Sequence, residues 1–243
     1  MKLATIPAAL ALVAVAVSLR VITTAEPETV ETRHPVLILA PDDRSRCGET
    51  YGVLNLETVR GSAKRRGYWN QDRSIPAAWR PTKDDYRGWD TGHCAAAAWF
   101  GNQQLQDVTF TYSNAMPENL AMNRGIGAQI EALIREEAEA PGQQVYFAVT
   151  PLWIPEGGEL RFRVVGPHAL WVPTHKGWSI LIEKDGKPVL ARAWIVPNVA
   201  PPKGAKPDDY RRPVNDHEYW RGRDFFDFAW LDREQVERLE AVR

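Results

Sequence analysis

The stretch of residues 89–135 constrains this chain more than any other part of its sequence. It contains an Asp-Thr-Gly-His turn that ends at His93, an apolar run with β-branched residues, a loop at Pro117 and a helical pattern that opens near Asn123. A histidine at a strand end, a second strand and a helix with an asparagine can pack around one site. We therefore expect this stretch to form a metal-dependent active site.

His93 and Asn123 offer two complementary groups for hydrolysis. The imidazole of His93 has an unperturbed pKa near neutrality, so its neutral form can take a proton from water at physiological pH. Gly92 before it permits a tight turn, which we expect to leave the ring exposed at a strand end. The side-chain carbonyl oxygen of Asn123 is a hard ligand suited to Mg²⁺ or Mn²⁺. The pair predicts activation of water close to a divalent cation.

Glu131 lies eight residues after Asn123 on the predicted helix. At roughly 1.5 Å per residue this is about 12 Å along the axis, too far for both side chains to ligate one ion directly. Helical side chains lean toward the helix N-terminus, so we expect Glu131 to reach back to metal-bound water instead. Arg135, four residues further along the same face, is placed to pair with Glu131 or to contact a phosphate.

Hydrophobic periodicity elsewhere predicts an α+β fold with a mixed central sheet. Apolar residues at three- and four-residue spacing predict a helix over residues 122–140, which Pro141 ends. A short final helix is expected after Asp232, where a capping pattern begins. Alternating or β-branched segments predict strands at residues 51–60, 108–113, 144–151, 178–183 and 188–196.

The order of these motifs resembles the DNA/RNA non-specific endonuclease family of ββα-metal, or His-Me finger, nucleases. Members of that family carry Asp-Arg-Gly-His, Ser-Asn, Pro-Gln, Asn-x-Gly and a glutamate eight residues past that asparagine. The corresponding positions here are Asp90-Thr91-Gly92-His93, Ser113-Asn114, Pro117-Glu118, Asn123-Arg124-Gly125 and Glu131. Weaker matches follow in the same order at residues 145–151, 172–175, 195–198 and 224–226. The resemblance covers about Cys47 to Trp230 and implies a ββα-metal active-site motif within the α+β fold.

The resemblance implies a role for each matching residue. His93 would be the general base, and Asn123 would hold a single Mg²⁺ through its side chain, with Mn²⁺ as a substitute. Glu131 would be a catalytic residue that acts through bound water. The implied function is an exported, Mg²⁺-dependent, sequence-nonspecific endonuclease that hydrolyses phosphodiester bonds of DNA and also of RNA.

Three further residues complete the predicted site, Arg66 and Asn114 through the same resemblance and Arg135 through its position on the helix. The family has an arginine before its first core strand that stabilises the reacting phosphate, and Arg66 is the candidate here. Asn114 and Arg135 are the candidate substrate-binding residues.

Two positions depart from the family pattern. Thr91 replaces an arginine and Glu118 replaces a glutamine, so one positive charge is lost and one negative charge is gained. Both changes weaken binding of a polyanion if the side chains face the cleft. Lys and Arg number 30 against 31 acidic residues, a formal net charge of −1, so phosphate binding must be local. The alternative function is therefore a catalytically weak or inactive nucleic-acid-binding or scaffold protein on the same fold.

The N-terminus differs in composition from the rest of the chain. After Lys2 an apolar run extends over residues 3–19, which predicts an export signal, with a retained membrane anchor as the alternative. We therefore expect a signal peptide or N-terminal membrane anchor at residues 1–25, a linker at 26–46 and an endonuclease-like domain at 47–243. The domain would be periplasmic or secreted, with or without membrane attachment.

Cys47 and Cys94 are the two cysteines of the sequence. Export makes a disulfide between them chemically plausible, and such a bridge would stabilise the fold by about 4 kcal/mol in the chain-entropy model. The alternative is a buried thiol beside His93. Both remain open, because sequence gives no distance between the two residues.

Overall fold

A computed structural model describes residues 3–5, 32–33, 36–41 and 44–242. Within these residues the α+β class is confirmed, and every pairing within the sheets is antiparallel. The strands in chain order are β1 (Leu3–Thr5), β2 (Thr32–Arg33), β3 (Leu37–Leu39), β4 (Thr50–Leu54), β5 (Asp90–His93), β6 (Ala115–Glu118), β7 (Gln143–Leu152), β8 (Arg161–Val165), β9 (Leu170–Val172), β10 (His175–Lys184), β11 (Lys187–Pro197) and β12 (Arg211–Arg212).

The central sheet has seven strands in the order β12-β11-β10-β7-β4-β3-β2. Successive side chains of a strand point to opposite faces, so β10 contributes to two separate cores. Trp178 and Ile180 belong to the larger core, whereas Leu181 belongs to a smaller core on the other face. Both faces are therefore covered, which explains why this strand reads as a continuous apolar run.

Helices cover the two faces of the sheet. They are α1 (Leu56–Val59), α2 (Gln103–Thr109), α3 (Leu120–Met122), α4 (Ala128–Glu139), α5 (Val214–Arg221) and α6 (Arg233–Glu240). Ile130 and Ile134 of α4 pack in the larger core, and Val214 of α5 and Val236 of α6 pack in the smaller one. The predicted helix over residues 122–140 is thus confirmed. So is the start of α6, since the Asp232 side chain accepts a hydrogen bond from the Gln235 amide.

The strand predicted over residues 51–60 is wrong over part of its length and the one predicted over 108–113 over all of it, and an asparagine cap precedes both errors. Asn55 accepts hydrogen bonds from two following amides and starts α1, so the strand predicted over residues 51–60 ends at Leu54. Asn102 likewise caps α2, which carries Val108 and Thr109 as its last turn. The second strand of the site is therefore β6, a few residues later than the predicted 108–113. In both places a local cap overrides β propensity.

Part of the predicted linker belongs to the sheet. Strand β3 pairs with β4, and Leu37 and Leu39 are buried in the larger core. Apart from β1, which pairs with β8, the predicted signal peptide or anchor lies outside the described residues. Among the helices that the structure describes, none is long and apolar enough to span a membrane.

Candidate active site

Strands β5 and β6 form a two-stranded sheet that precedes the long helical segment. His93 pairs with Ala115 at one end of this ribbon, and Asp90 pairs with Glu118 at the other. The chain then continues through α3, a π-helical turn at Asn123–Gly127 and α4. This ββα arrangement brings His93, Asn123 and Glu131 to a single cleft of about 580 Å³. A larger groove lies elsewhere, beside α4 and β11, and includes none of these three residues.

His93 is buried but has one unsatisfied nitrogen. The side chain is 8% exposed, against the expectation of an exposed ring, and it is flanked by Trp69 at 4.4 Å and by Phe110 at 4.8 Å between ring centroids. Its Nε2 atom has no hydrogen-bond partner among the described residues. Burial, followed by the positive charges of Arg65 and Lys176, lowers the pKa of His93 well below 6.5. The ring is therefore neutral at physiological pH and can accept a proton.

Gly92 is required by close packing rather than by a turn conformation. Its backbone φ is not positive, because it lies within β5. A Cβ atom at this position would lie 2.0 Å from the Cδ atom of Glu118 on the neighbouring strand. Any larger residue would collide with that carboxylate. The motif glycine thus allows Glu118 to pass directly behind His93.

Asn123 does not cap the helix, which leaves its side chain available. The helix begins after Asn119, whose side chain accepts from the amides of Ala121 and Met122. Asn123 instead opens the π-helical turn, a distortion that is common at functional sites. Its Nδ2 atom donates to Asp90 Oδ2 at 3.1 Å.

The contact with Asp90 also sets the orientation of the Asn123 amide. An ionised carboxylate only accepts hydrogen bonds, so Asn123 must present its NH₂ group to Asp90 and its carbonyl oxygen elsewhere. Asp90 is held in turn by Arg124, which donates two hydrogen bonds of 2.9 Å. No described residue donates to the Asn123 Oδ1 atom, which leaves a neutral oxygen for a hard cation.

A buried lysine, missed in the sequence analysis, lies beneath the cleft. Lys176 donates to the backbone oxygen of His93 at 2.6 Å and to Glu118 Oε1 at 2.9 Å. Its Nζ atom is 3.7 Å from Glu131 Oε1, an ion pair longer than a hydrogen bond. The sequence does contain an indication of its position. Residues two apart in a strand face the same side, and Lys176 is two residues before the inward-facing Trp178 in β10.

These neighbours set the charges of the two glutamates. Glu118 is fully buried, and burial raises its pKa although Lys176 opposes the shift. Burial also raises the pKa of Glu131 to about 7, although its side chain keeps 20% of its surface exposed. Burial disfavours the charge on Lys176, but the carboxylates of Glu118 and Glu131 outweigh this and raise its pKa. The negative charge that the sequence places at residue 118 is thus compensated and does not face the cleft.

The donor set fits a hydrated Mg²⁺ or Mn²⁺ rather than a cage of carboxylates. Asn123 offers one amide oxygen and Glu131 one carboxylate on the same cleft. Among the described residues, clustered metal-type ligands occur away from this cleft, at Glu218, Asp224 and Glu240. Mg²⁺ characteristically keeps several waters and takes few protein ligands, so one direct ligand is sufficient.

The substrate-binding role expected for Asn114 does not fit its position. Its side chain is fully buried. Oδ1 accepts from Thr50 Oγ1 at 2.7 Å and from the Ala95 amide at 2.9 Å, while Nδ2 donates to the backbone oxygens of Ala95 and Thr109. All of its hydrogen-bonding capacity is used inside the protein. Asn114 therefore ties β4 and β6 to the loop after His93 and has no surface to offer a substrate.

The structure brings Arg65, rather than the predicted Arg66, to the cleft. Arg66 forms a two-point ion pair with Asp107 and stacks on the ring of Tyr68. Arg65 is exposed and lowers the pKa of His93 through its charge. Both arginines belong to one basic run, and sequence alone does not say which of two neighbours points inward.

Arg135 does not form the expected pair with Glu131. Its guanidinium binds Glu139 Oε1 at 2.8 Å and the backbone oxygen of Ala98 at 2.6 Å. It does not line the cleft. In this conformation Arg135 ties α4 to the segment around Ala98. Arg135 would have to leave Ala98 and Glu139 in order to contact a phosphate.

Cys47 and Cys94 are both buried thiols rather than a disulfide. The Sγ atom of Cys47 donates to the backbone oxygen of Trp171 at 3.0 Å, and that of Cys94 to the backbone oxygen of Gly48 at 3.1 Å. Burial strongly raises the pKa of Cys94, so this thiol stays protonated beside His93. The alternative of a buried thiol is the one that the structure contains.

Comparisons with known proteins bear directly on this arrangement. The sequence profile of the DNA/RNA non-specific endonuclease family matches residues 24–229. Human mitochondrial endonuclease G is 33% identical over 174 residues, which cover 66% of this chain and 57% of that protein. The Xenopus laevis mitochondrial nuclease EXOG is 28% identical over 190 residues, covering 74% of this chain and 52% of that protein. The chain thus spans about half the length of these relatives.

A solved structure shares the fold. The crystal structure of an EndoG/EndoGI complex, which describes the mechanism of EndoG inhibition, matches with a TM-score of 0.77 at 28% identity. The match covers 84% of this chain and 88% of that one. The central sheet and the ββα arrangement around His93 are therefore those of an established nuclease fold.

Proposed function

Because the chain belongs to the DNA/RNA non-specific endonuclease family, we propose that it is a divalent-metal-dependent endonuclease that hydrolyses DNA and RNA without sequence specificity. The observation that carries the proposal is the meeting of two groups on one cleft. These are the imidazole of His93, which is neutral and whose buried Nε2 atom has no hydrogen-bond partner among the described residues, and the Oδ1 atom of Asn123, which no described residue binds.

His93 is the proposed general base. Its neutral imidazole accepts the proton of a water molecule that attacks phosphorus. Trp69 and Phe110 restrict the ring on both sides, and Lys176 fixes the His93 backbone from below. The base is thus held in one orientation before the substrate arrives, as efficient proton transfer requires.

Asn123 is the proposed direct ligand of Mg²⁺, for which Mn²⁺ would substitute. When bound, the cation neutralises charge on the phosphate and assists the leaving oxygen. Asp90 orients the Asn123 amide through its hydrogen bond to Nδ2. Glu131 accepts hydrogen bonds from water on the same side of the cleft, and these bonds are stronger when its carboxylate is ionised.

Substrate binding is proposed to be local, since the net charge of −1 provides no overall attraction for a polyanion. Arg65 lines the cleft and is placed to contact a phosphate, and Trp69 presents an aromatic surface there. Arg124 lines the same cleft but is paired with Asp90. Thr91 lines the same cleft without the charge that the family motif carries at this position.

The position of Thr91 also supports the second candidate, a nucleic-acid-binding protein with little or no catalysis. The argument from Glu118 is weaker than it was from sequence, because Lys176 compensates that charge. The two candidates differ in one measurable property. Both bind DNA, but only the endonuclease converts it to shorter products when Mg²⁺ is added.

The deciding experiment is a cleavage assay with the purified protein. We expect it to nick supercoiled plasmid and to degrade single-stranded RNA with Mg²⁺ or Mn²⁺, and EDTA should abolish both activities. DNA binding without cleavage across a screen of divalent metals and pH would instead establish the second candidate.

Export is a separate proposal, supported by the apolar run at residues 3–19 after Lys2. Fractionation of cells that produce a C-terminally tagged chain tests it. Tagged protein in the periplasmic, medium or membrane fraction is the expected result, and the membrane fraction would identify an anchor. Recovery in the cytoplasm alone would contradict export.

A further inference from the structure

Lys176 is buried at the point where the proposed catalytic groups meet. Its side chain is 1% exposed, and its Nζ atom lies 4.4 Å from the ring centroid of Trp178. An ammonium group is rarely found in such a position unless carboxylates compensate its charge. Here Glu118 and Glu131 both approach it, at 2.9 and 3.7 Å. One lysine therefore faces two carboxylates.

The second carboxylate and the backbone contact need an explanation. Glu118 alone would neutralise Lys176, and the pair could then serve only to fill the core. The same ammonium, however, also donates to the carbonyl oxygen of His93. Its three contacts therefore reach the strand that carries the proposed base, the strand beside it and the helix that carries Glu131. These are the three elements of the ββα arrangement.

We propose that Lys176 is a positioning residue, which holds the Glu131 carboxylate and the His93 backbone at a set separation across the cleft. The expected effect on catalysis rests on the proposed function. The expected effect on the position of Glu131 rests on the observed contacts alone. Glu118 then has the subordinate part of balancing the charge of Lys176. It stands where the family motif has a glutamine, so the acid and the buried lysine form a matched pair in this chain.

A charge-neutral double replacement separates positioning from simple charge balance. Lys176→Met alone leaves Glu118 as a buried, unpaired acid and is expected to destabilise the protein. Lys176→Met combined with Glu118→Gln removes both charges while keeping similar side-chain volumes, and it should restore folding. The matched control is Glu118→Gln alone, whose amide oxygen can still accept a hydrogen bond from Lys176.

The proposal makes distinct expectations for these variants. With Mg²⁺ at saturation, we expect Glu118→Gln to retain kcat within about threefold of the wild type. The double variant should lose about tenfold or more in kcat with little change in KM, as expected when groups act on the transition state rather than on binding. Urea unfolding should show that both variants are folded. The proposal would be overturned if the double variant had the same kcat as Glu118→Gln, whether both variants keep the wild-type kcat or both lose it to the same extent.

Crystal structures of the wild type and the double variant provide a readout that does not depend on activity. The proposal expects the Glu131 carboxylate to move or lose order when Lys176 is replaced, with the sheet unchanged. An unchanged Glu131 would contradict it. If the wild type cleaves no nucleic acid, the proposed function fails, and the position of Glu131 in the two structures still decides the positioning role.

Discussion

His93 and His217 are both buried, yet their surroundings differ in a way that separates a candidate base from a structural residue. His217 lies on α5 against the opposite face of the central sheet. Its Nδ1 atom is 2.7 Å from Ser179 Oγ and its Nε2 atom is 2.7 Å from Thr150 Oγ1. Both ring nitrogens are therefore satisfied. The Nε2 atom of His93 has no such partner among the described residues, and His93 lines the cleft.

The comparison shows that a shifted pKa does not identify a catalytic histidine. Burial lowers the pKa of both residues, and that of His217 falls to about 3. Close packing holds His217 in place, since a Cβ on Gly177 would lie 2.2 Å from its Nε2 atom. The distinguishing property is a ring nitrogen without a partner in a residue that lines the cleft.

The largest effect is expected from replacing the two histidines in turn. His93→Ala should lower kcat by about 10² to 10⁴-fold, the usual contribution of a general base. His217→Ala should leave kcat per folded molecule nearly unchanged, but it leaves two buried hydroxyls without partners and should cost about 1 to 3 kcal/mol for each in the free energy of unfolding. Plasmid cleavage and urea unfolding of both variants measure this. Full activity in His93→Ala would remove His93 from the mechanism.

Replacing Asn123 sharpens the catalytic side of the comparison. Asn123→Ala should raise the Mg²⁺ concentration needed for the half-maximal rate. It should also lower the rate by at least roughly 10 to 100-fold, the loss that is typical when a residue hydrogen-bonded to a metal ligand is replaced. The control is Asn119→Ala, which removes the helix cap and should cost about 1 kcal/mol in stability without changing the Mg²⁺ requirement. Equal metal dependence in both variants would show that Asn123 is not the ligand.

The pH profile should reflect Glu131 and not His93. The pKa of Glu131 is raised to about 7, so its ionised form, and with it the rate, should increase as pH rises through that region. The pKa of His93 is lowered, so its deprotonation contributes no limb near pH 6.5. Rates measured between pH 5 and 9 should lose this limb in Glu131→Gln. Retention of the limb in that variant would assign it to another group.

The most gradual effect concerns acid stability. The native pKa of His217, about 3, lies below its value in the unfolded chain, so falling pH protonates the unfolded state first. Its contribution to stability is therefore complete above about pH 6.5 and declines toward pH 3, by up to roughly 1.4 kcal/mol per pH unit. His217→Gln should show a shallower loss of unfolding free energy than the wild type over this range. Parallel curves would show that His217 is not the group responsible.

Most of the fold, and the residues that meet at the cleft, follow from local patterns. The helix that ends before Pro141 follows from apolar spacing, and three central strands follow from β-branched runs. His93, Asn123 and Glu131 were expected at one site from their order, and the structure brings them to one cleft. Their catalytic roles remain predictions. The strand errors at residues 51–60 and 108–113 arose where an asparagine cap outweighed β propensity.

The order of the ββα elements and their polar groups follows from local sequence, because side-chain periodicity and motif spacing are properties of neighbouring residues. Which of the polar groups are compensated depends on how distant parts of the chain pack together. Lys176 meets Glu118 across 58 residues of chain, and Asn114 is satisfied by Thr50 across 64. Burial and pairing depend on these distant contacts, and they determine whether a charge faces a substrate or is balanced inside the protein.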